Sequence, residues 1–314
     1  MAVFMMSIWI WSLVFCVSLA VLVASANLFI NAAEQAGRVL RLPSFVTGVI
    51  LVGFGTSLPE LISSILAVTS GSSEIVIGNV LGSNITNILL ILGLSGLLGG
   101  TFYVKTDLLK FDLTVMLGGA FILSLMVQDR RFSIGEGIIC LLMMGIYLVT
   151  LLRSKSDGSE ESDVKPATVH TWFILVGSPV LIFVGAKYTV DSVIALAGIF
   201  QVGTDVIAMS AVAFGTSLPE IVVAITASYK GKPEIVVGNV IGSNIFNTFG
   251  VMGIPSLLGS LNIPTGVVSY SVPVFLAATM IHVIITVDKR VSKAEGAFML
   301  CFYLFFICRL FGWL

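Results

Sequence analysis

Residues 53–93 read GFGTSLPELISSILAVTSGSSEIVIGNVLGSNITNILLILG, and residues 213–253 read AFGTSLPEIVVAITASYKGKPEIVVGNVIGSNIFNTFGVMG. The second stretch repeats the first 160 residues later without a gap. Both copies keep Phe-Gly-Thr-Ser-Leu-Pro-Glu, then Gly-Asn-Val, then Gly-Ser-Asn-Ile with an Asn two residues on. These shared residues are largely polar, yet each copy sits in sequence apolar enough for lipid. A carboxylate at membrane depth is costly and marks a functional site by default. One at the same place in each of two halves points to a transporter built from repeats.

Composition agrees. Of 314 residues, 57% are hydrophobic and 11% charged, with a mean hydropathy of +1.08. Soluble domains carry roughly 25% charged residues, so this chain has too little charge to cover a globular surface. It reads as a polytopic membrane protein, and its net charge of −1 gives no sign of a nucleic-acid partner. Cys16, Cys140, Cys301 and Cys308 fall in apolar stretches without CxxC spacing, as small buried hydrophobes do. His170 and His282 have no partner at ligand spacing. Ala24-Ser25-Ala26 imitates a signal-peptidase site, but no Lys or Arg precedes the apolar run. The stretch is expected to stay as a first membrane helix, since it aligns with Ile174–Ala186 of the second half.

Apolar stretches close to the roughly 20 residues needed to cross a bilayer fall at 7–30, 43–69, 75–98, 111–128 and 134–152. A second set falls at 171–195, 203–229, 235–258, 266–287 and 294–313. The expectation is an all-α fold of ten transmembrane helices in two five-helix repeats. Residues 1–152 form the first, 153–170 a linker, and 171–314 the second. Outside the central motif, Asp129-Arg130-Arg131 with Ser133 and Glu136 is echoed by Asp288-Lys289-Arg290 with Ser292 and Glu295. Five spans is an odd number, so the second half enters from the opposite side and the repeats are inverted.

The basic residues fit that parity. One set of connections holds Arg38, Arg41, Lys105, Lys110, Arg153, Lys155, Lys165, Lys230, Lys232, Lys289, Arg290 and Lys293. The other holds Arg130, Arg131, Lys187 and Arg309. Basic loops stay in the cytoplasm, which puts both termini outside and the 153–170 linker inside. Glu160, Glu161 and Asp163 make that linker acidic, and a solvated connection accounts for them.

Inside each motif, proline lacks the N–H that would bond the carbonyl four residues back. Pro59 leaves Gly55 without its usual donor, and Pro219 does the same for Gly215. Thr56, Ser57 and Glu60, matched by Thr216, Ser217 and Glu220, stand beside these bends. Each half thus offers carbonyl, hydroxyl and carboxylate oxygen, a ligand set for hard cations. Asn79, Ser83 and Asn87, matched by Asn239, Ser243 and Asn247, follow at i, i+4, i+8 and share a helix face. Such a stripe alone serves helix packing as readily as ligation. Gly78 and Gly82, with Gly238 and Gly242, form small-xxx-small pairs for close helix approach. Ile85 and Leu89 are left to face either lipid or the bundle.

The paired Gly-Thr-Ser-Leu-Pro-Glu and Gly-Asn-Val-x-Gly-Ser-Asn segments resemble the two alpha repeats of the sodium/calcium exchanger family, in the calcium/cation antiporter superfamily. The likeness spans essentially the whole chain and is to the short prokaryotic members, without the long regulatory loop of animal exchangers. It implies Glu60 and Glu220 as central bridging carboxylates and backbone oxygens of Thr56 and Thr216 as calcium ligands. It further implies Ser57, Ser217, Ser83, Ser243 and the carbonyls near Gly53 and Ala213 as sodium sites. Asn87 and Asn247 would be the amides beside the glutamates. Some relatives carry Asp at the second of these positions, so Asn here argues against the potassium-dependent branch.

The implied activity is sodium/calcium antiport by alternating access across the cell membrane. Calcium, sodium and the lipid bilayer would be the partners, with a monomeric chain and no cofactor. A proton/calcium antiporter using the same glutamates is the alternative. An intramembrane hydrolase built on Ser57 or Ser217 lacks a His or Lys base within reach. A passive channel would make little use of inverted halves.

Overall fold

The computed structural model describes residues 2–103, 109–153, 167–199, 215–310 and 312. Most of the 153–170 linker and the start of the seventh span, including Ala213, lie outside the described residues. Ten helical segments account for most of the rest. They are α1 (Ala2–Val39), α2 (Ser44–Thr69), α3 (Glu74–Gly99), α4 (Leu109–Met126), α5 (Ile134–Arg153), α6 (Val169–Ile199), α7 (Leu218–Tyr229), α8 (Pro233–Ser256), α9 (Val267–Thr286) and α10 (Lys293–Leu310). The fold is the expected one: an all-α membrane protein of ten helices in two inverted sets of five.

Apolar content places these helices in lipid, and polar content decides which go to the middle. The most apolar stretch of α8 is wholly buried and that of α3 is 72% buried, against 28% for α5 and α6. The two Gly-Asn-Val-x-Gly-Ser-Asn helices are therefore the centre. Ile85 and Leu89 are fully buried and face the bundle, not lipid. Gly238 and Gly242 explain how α8 fits so tightly. A Cβ there would lie 2.5 Å from the carbonyl oxygens of Phe45 and Val49 on α2. Gly78 and Gly82 meet nothing within 4 Å among the described residues; the segment equivalent to the partner of α8, 200–214, lies outside them.

Helices α1 and α6 form a pair on the outside of this core. Gly185 lets α6 approach the backbone of Leu22, and the Thr189 hydroxyl donates to Ser18 Oγ at 2.9 Å. The α1 helix runs nine residues beyond its apolar stretch, to Val39. Asn31, Glu34, Gln35 and Arg38 recur at helical spacing there, so one face stays polar where the helix leaves the membrane.

Two features were not expected. Among the described residues, four π-helical turns interrupt the long helices, at Gly48–Gly53, Asn87–Leu92, Phe246–Val251 and Val267–Ser271. Short strands also tie the halves together. β1 (Phe102–Tyr103) pairs antiparallel with β4 (Arg290–Val291), and β2 (Arg131–Phe132) with β3 (Leu261–Asn262). The echoed Ser/Glu pairs close α5 and α10 as capping boxes. Ser133 and Ser292 donate their backbone N–H to Glu136 and Glu295 at 2.6 and 2.7 Å. Each glutamate N–H returns to the serine Oγ at 3.3 Å.

Candidate ion-binding site

The bend in α2 starts from Pro59. With no N–H to continue the ladder, the helix stops at Ser57 (φ −88°, ψ 5°) and restarts at Leu58. The π-turn just before it widens the coil and disturbs the carbonyl register. The Gly53 carbonyl collects three donors at the break: the Ser57 N–H at 3.2 Å, the Thr56 hydroxyl at 3.2 Å and the Ser243 hydroxyl of α8 at 3.1 Å. Gly53 must be glycine for this contact, because a Cβ would lie 2.9 Å from the backbone of Asn239 and Ser243. In the second half, Leu218 likewise restarts the helix after Ser217, with Pro219 in its first turn.

The two halves meet through their polar side chains. Ser57 Oγ donates to Glu220 Oε1 at 3.2 Å. The Thr56 hydroxyl lies 3.3 Å from Asn239 Oδ1, and Ser83 and Thr216 share a hydroxyl contact at 3.4 Å. Asn84 Nδ2 donates to Thr248 at 3.1 Å. Every one of these bonds crosses from one repeat to the other. Asn79 does otherwise: it donates to the Glu60 carbonyl at 3.3 Å and to Ser64 at 3.1 Å within its own half.

What is left unpaired matters more. Glu60 and Glu220 are both buried, at 0% and 1% exposure. Among the described residues, both oxygens of Glu60, Oε2 of Glu220, the Ser217 hydroxyl and both amide atoms of Asn87 and Asn247 have no hydrogen-bond partner. Buried polar groups are ordinarily paired, and each orphan costs of order 1–3 kcal/mol. Asn84 Oδ1, Ser95 Oγ, Asp112 Oδ2, Asn239 Nδ2, Asn244 Oδ1 and both His282 nitrogens are unpaired elsewhere among the described residues, whereas those named above coincide with expected ligand positions. A cation among them would satisfy carboxylate, amide and hydroxyl oxygens together. No cluster of three His, Cys, Asp or Glu is present among the described residues. A site of this kind therefore depends on neutral oxygens and two acids.

Of the expected residues, the structure joins Gly53, Thr56, Ser57, Glu220 and Ser243 in one hydrogen-bonded constellation with Asn239, and Ser83 with Thr216 in a separate pair. It leaves the Glu60, Asn87, Ser217 and Asn247 side chains buried and without a hydrogen-bond partner among the described residues, in the same motifs. Ala213 lies outside the described residues. Sequence reasoning passed over the Asn84–Thr248 bridge and a third buried acid, Asp112, to which Tyr147 donates at 2.5 Å. Asp112 was visible as a carboxylate within an apolar span. The bridge carried no such signal, because Thr248 has no equivalent in the first half.

A cavity of about 250 Å³ leads toward the bends. It is lined by Pro59, Ile62, Ser63 and Leu66 of α2, Phe183, Lys187, Val190 and Asp191 of α6, and Gly215 and Thr216.

The chain resembles known proteins along nearly its whole length. A family model described as sodium/calcium exchanger protein matches residues 10–153 and 170–312. The sodium/calcium exchanger MaX1 of Methanosarcina acetivorans is 32% identical, covering 95% of this chain and 98% of that one. The inner membrane protein YrbG of Escherichia coli is also 32% identical, covering 89% and 90%. A solved structure of the sodium-calcium exchanger NCX_Mj, soaked with sodium and calcium, superposes with a TM-score of 0.84 at 28% identity. It covers 96% of this chain and 98% of that one.

Proposed function

The chain belongs to the sodium/calcium exchanger family, and from that premise we propose that it exchanges sodium for calcium across the cell membrane. As a member of that family it is a membrane antiporter of cations, not an enzyme. The coupling ion and the ligands are our reading. Glu60 and Glu220 bind calcium with the backbone oxygens of Thr56 and Thr216. Ser57, Ser217, Ser83, Ser243 and the carbonyls of Gly53 and Ala213 flank them as sodium sites. Asn87 and Asn247 hold the space between.

The observation that carries this reading is the Ser57–Glu220 bond together with the unpaired oxygens of Glu60 and Glu220. It supports a single buried point at which one acid from each repeat faces the same ion. Two carboxylates balance one divalent or two monovalent cations. Calcium and sodium that need the same pair cannot bind together, and that mutual exclusion produces exchange instead of co-transport. The inward sodium gradient then expels calcium. With basic loops in the cytoplasm, both termini face outward and the cavity beside Thr216 opens to the outside.

Calcium-45 uptake into proteoliposomes tests the coupling. Outward-directed sodium should drive accumulation, whereas a pH gradient of equal magnitude should not. Accumulation driven by the pH gradient alone would make the chain a proton/calcium antiporter.

A further inference from the structure

Asn84 and Thr248 lie one step away from the expected ligands. Asn84 stands at i, i+3 from Asn87 on α3, so the two side chains are neighbours on the helix surface. Thr248 follows Asn247 on α8. Asn84 Nδ2 donates to Thr248 Oγ1 at 3.1 Å, and the two residues are 0% and 4% exposed. Asn84 Oδ1 has no partner among the described residues, so the bond to Thr248 is what orients this amide.

Both expected amide ligands sit in π-turns: Asn87 opens Asn87–Leu92, and Asn247 is the second residue of Phe246–Val251. A π-turn departs from the regular α-helical ladder, so the helix alone fixes a side chain there less firmly. A tether from outside then sets its place. The Asn84–Thr248 bond joins the approach to one turn with the interior of the other. Thr86 adds a second contact across the repeats, with the Tyr303 hydroxyl of α10 at 3.3 Å. The repeat mates of these four residues are Asn244, Ile88, Phe246 and Met144. Asn244 donates instead to the Val240 carbonyl of its own helix at 2.6 Å, and Ile88 and Met144 have no hydroxyl to offer. This asymmetry is written in the sequence. A cycle that exchanges the roles of the two bends has no second tether to form, so the bond suits a fixed frame.

We propose that Asn84 and Thr248 are positioning residues of the ion site, whose bond holds Asn87 and Asn247 at the spacing that favours calcium over larger divalent cations. The proposal rests on the placing of Asn87 and Asn247 at that site, as argued above. Calcium takes oxygen ligands at about 2.3–2.6 Å, and discrimination by size depends on how rigidly those oxygens are held. Neither Asn84 nor Thr248 touches the ion; each acts through the amide beside it. A frame that loses its tether relaxes around a larger ion, and the preference for calcium falls.

Thermal unfolding of the full-length protein in detergent, across a range of calcium or barium concentrations, reads both affinities without transport. The parent should bind calcium more tightly than barium. Thr248→Val keeps the branched shape and removes the hydroxyl. It should lower the calcium-over-barium preference about fivefold, the scale of one buried hydrogen bond, and Thr248→Ser should restore it. If Thr248→Val does not fold, Asn84→Ser, too short to reach Thr248, decides on the same ratio. A merely structural tether would lower the melting temperature and leave the ratio unchanged. That result overturns the proposal, as does a parent that binds the two ions alike. A parent that neither ion stabilises would overturn the exchange reading itself, and this proposal with it.

Discussion

The two copies of Phe-Gly-Thr-Ser-Leu-Pro-Glu are identical in sequence and unequal in structure. Ser57 donates to Glu220 across the repeat boundary. Its mate Ser217 has no partner among the described residues, and neither oxygen of Glu60 does. Thr56 reaches Asn239, but Thr216 turns to Ser83 rather than to Asn79. Identical residues thus stand in different bonding states in the two halves. An inverted-repeat transporter must break its symmetry somewhere to open on one side, and here the break runs through the proposed ion site.

The strongest way to break the comparison is to remove either acid. Glu60→Gln and Glu220→Gln should each abolish sodium-driven calcium uptake in inside-out vesicles, to below about one hundredth of the parent rate. A buried divalent ion that loses one of two neutralising charges is left uncompensated. Equal losses would mean that the unequal hydrogen bonding affects the waiting state, not the ion-bound one. Near-normal transport by either variant would remove that residue from the site.

The serines sharpen it next. In calcium-free protein, Ser57→Ala strips a buried carboxylate of its donor and should lower stability by about 1–3 kcal/mol. Ser217→Ala removes a hydroxyl that has no partner among the described residues and should cost little. Thermal unfolding in detergent measures both. With saturating calcium the two variants should converge, since both hydroxyls then serve the ion-filled site. Equal destabilisation without calcium would mean that the asymmetry is not a property of the resting protein.

Much of this was legible in the residues. Ten apolar stretches, the odd number of spans per half and the side-to-side bias of Lys and Arg led to the architecture. The duplicated Pro-Glu bend led to the site. What escaped was set by tertiary packing. A π-turn adds one residue to a coil without changing its composition, so the stripe Asn79–Ser83–Asn87 looked continuous although its last member opens a π-turn. Asn79 serves its own half's α2 and not the centre. Two-residue strands leave no alternation to detect. The glycine pairs looked equivalent, but only contact distances reveal that Gly238 and Gly242 press on backbone.

Those glycines give a smaller test. Gly242→Ala places a methyl group 2.5 Å from the Val49 carbonyl and 2.8 Å from its Cα. Backbone cannot step aside as a side chain can, so overpacking should cost about 2 kcal/mol. Gly145→Ala on α5, where a Cβ meets nothing within 4 Å, should be neutral or slightly stabilising through helix propensity. Comparing their melting temperatures separates tight helix approach from glycine content.

The smallest expected effect comes from a place where the repeats do agree. Ser133–Glu136 and Ser292–Glu295 form the same kind of capping box, with backbone distances within 0.1 Å of each other. Both lie at the ends of helices outside the core, at a distance in sequence from either bend. Loss of an N-terminal cap costs about 1 kcal/mol, so Ser133→Ala and Ser292→Ala should each lower stability by that amount and by equal amounts. Neither should alter the calcium dependence of unfolding, because neither touches the ion site. Equal losses here, beside unequal losses at Ser57 and Ser217, would locate the broken symmetry in the centre of the bundle. Unequal losses at the caps would instead mean that the two halves differ in stability throughout, and the inequality at the serines would lose its connection to the ion.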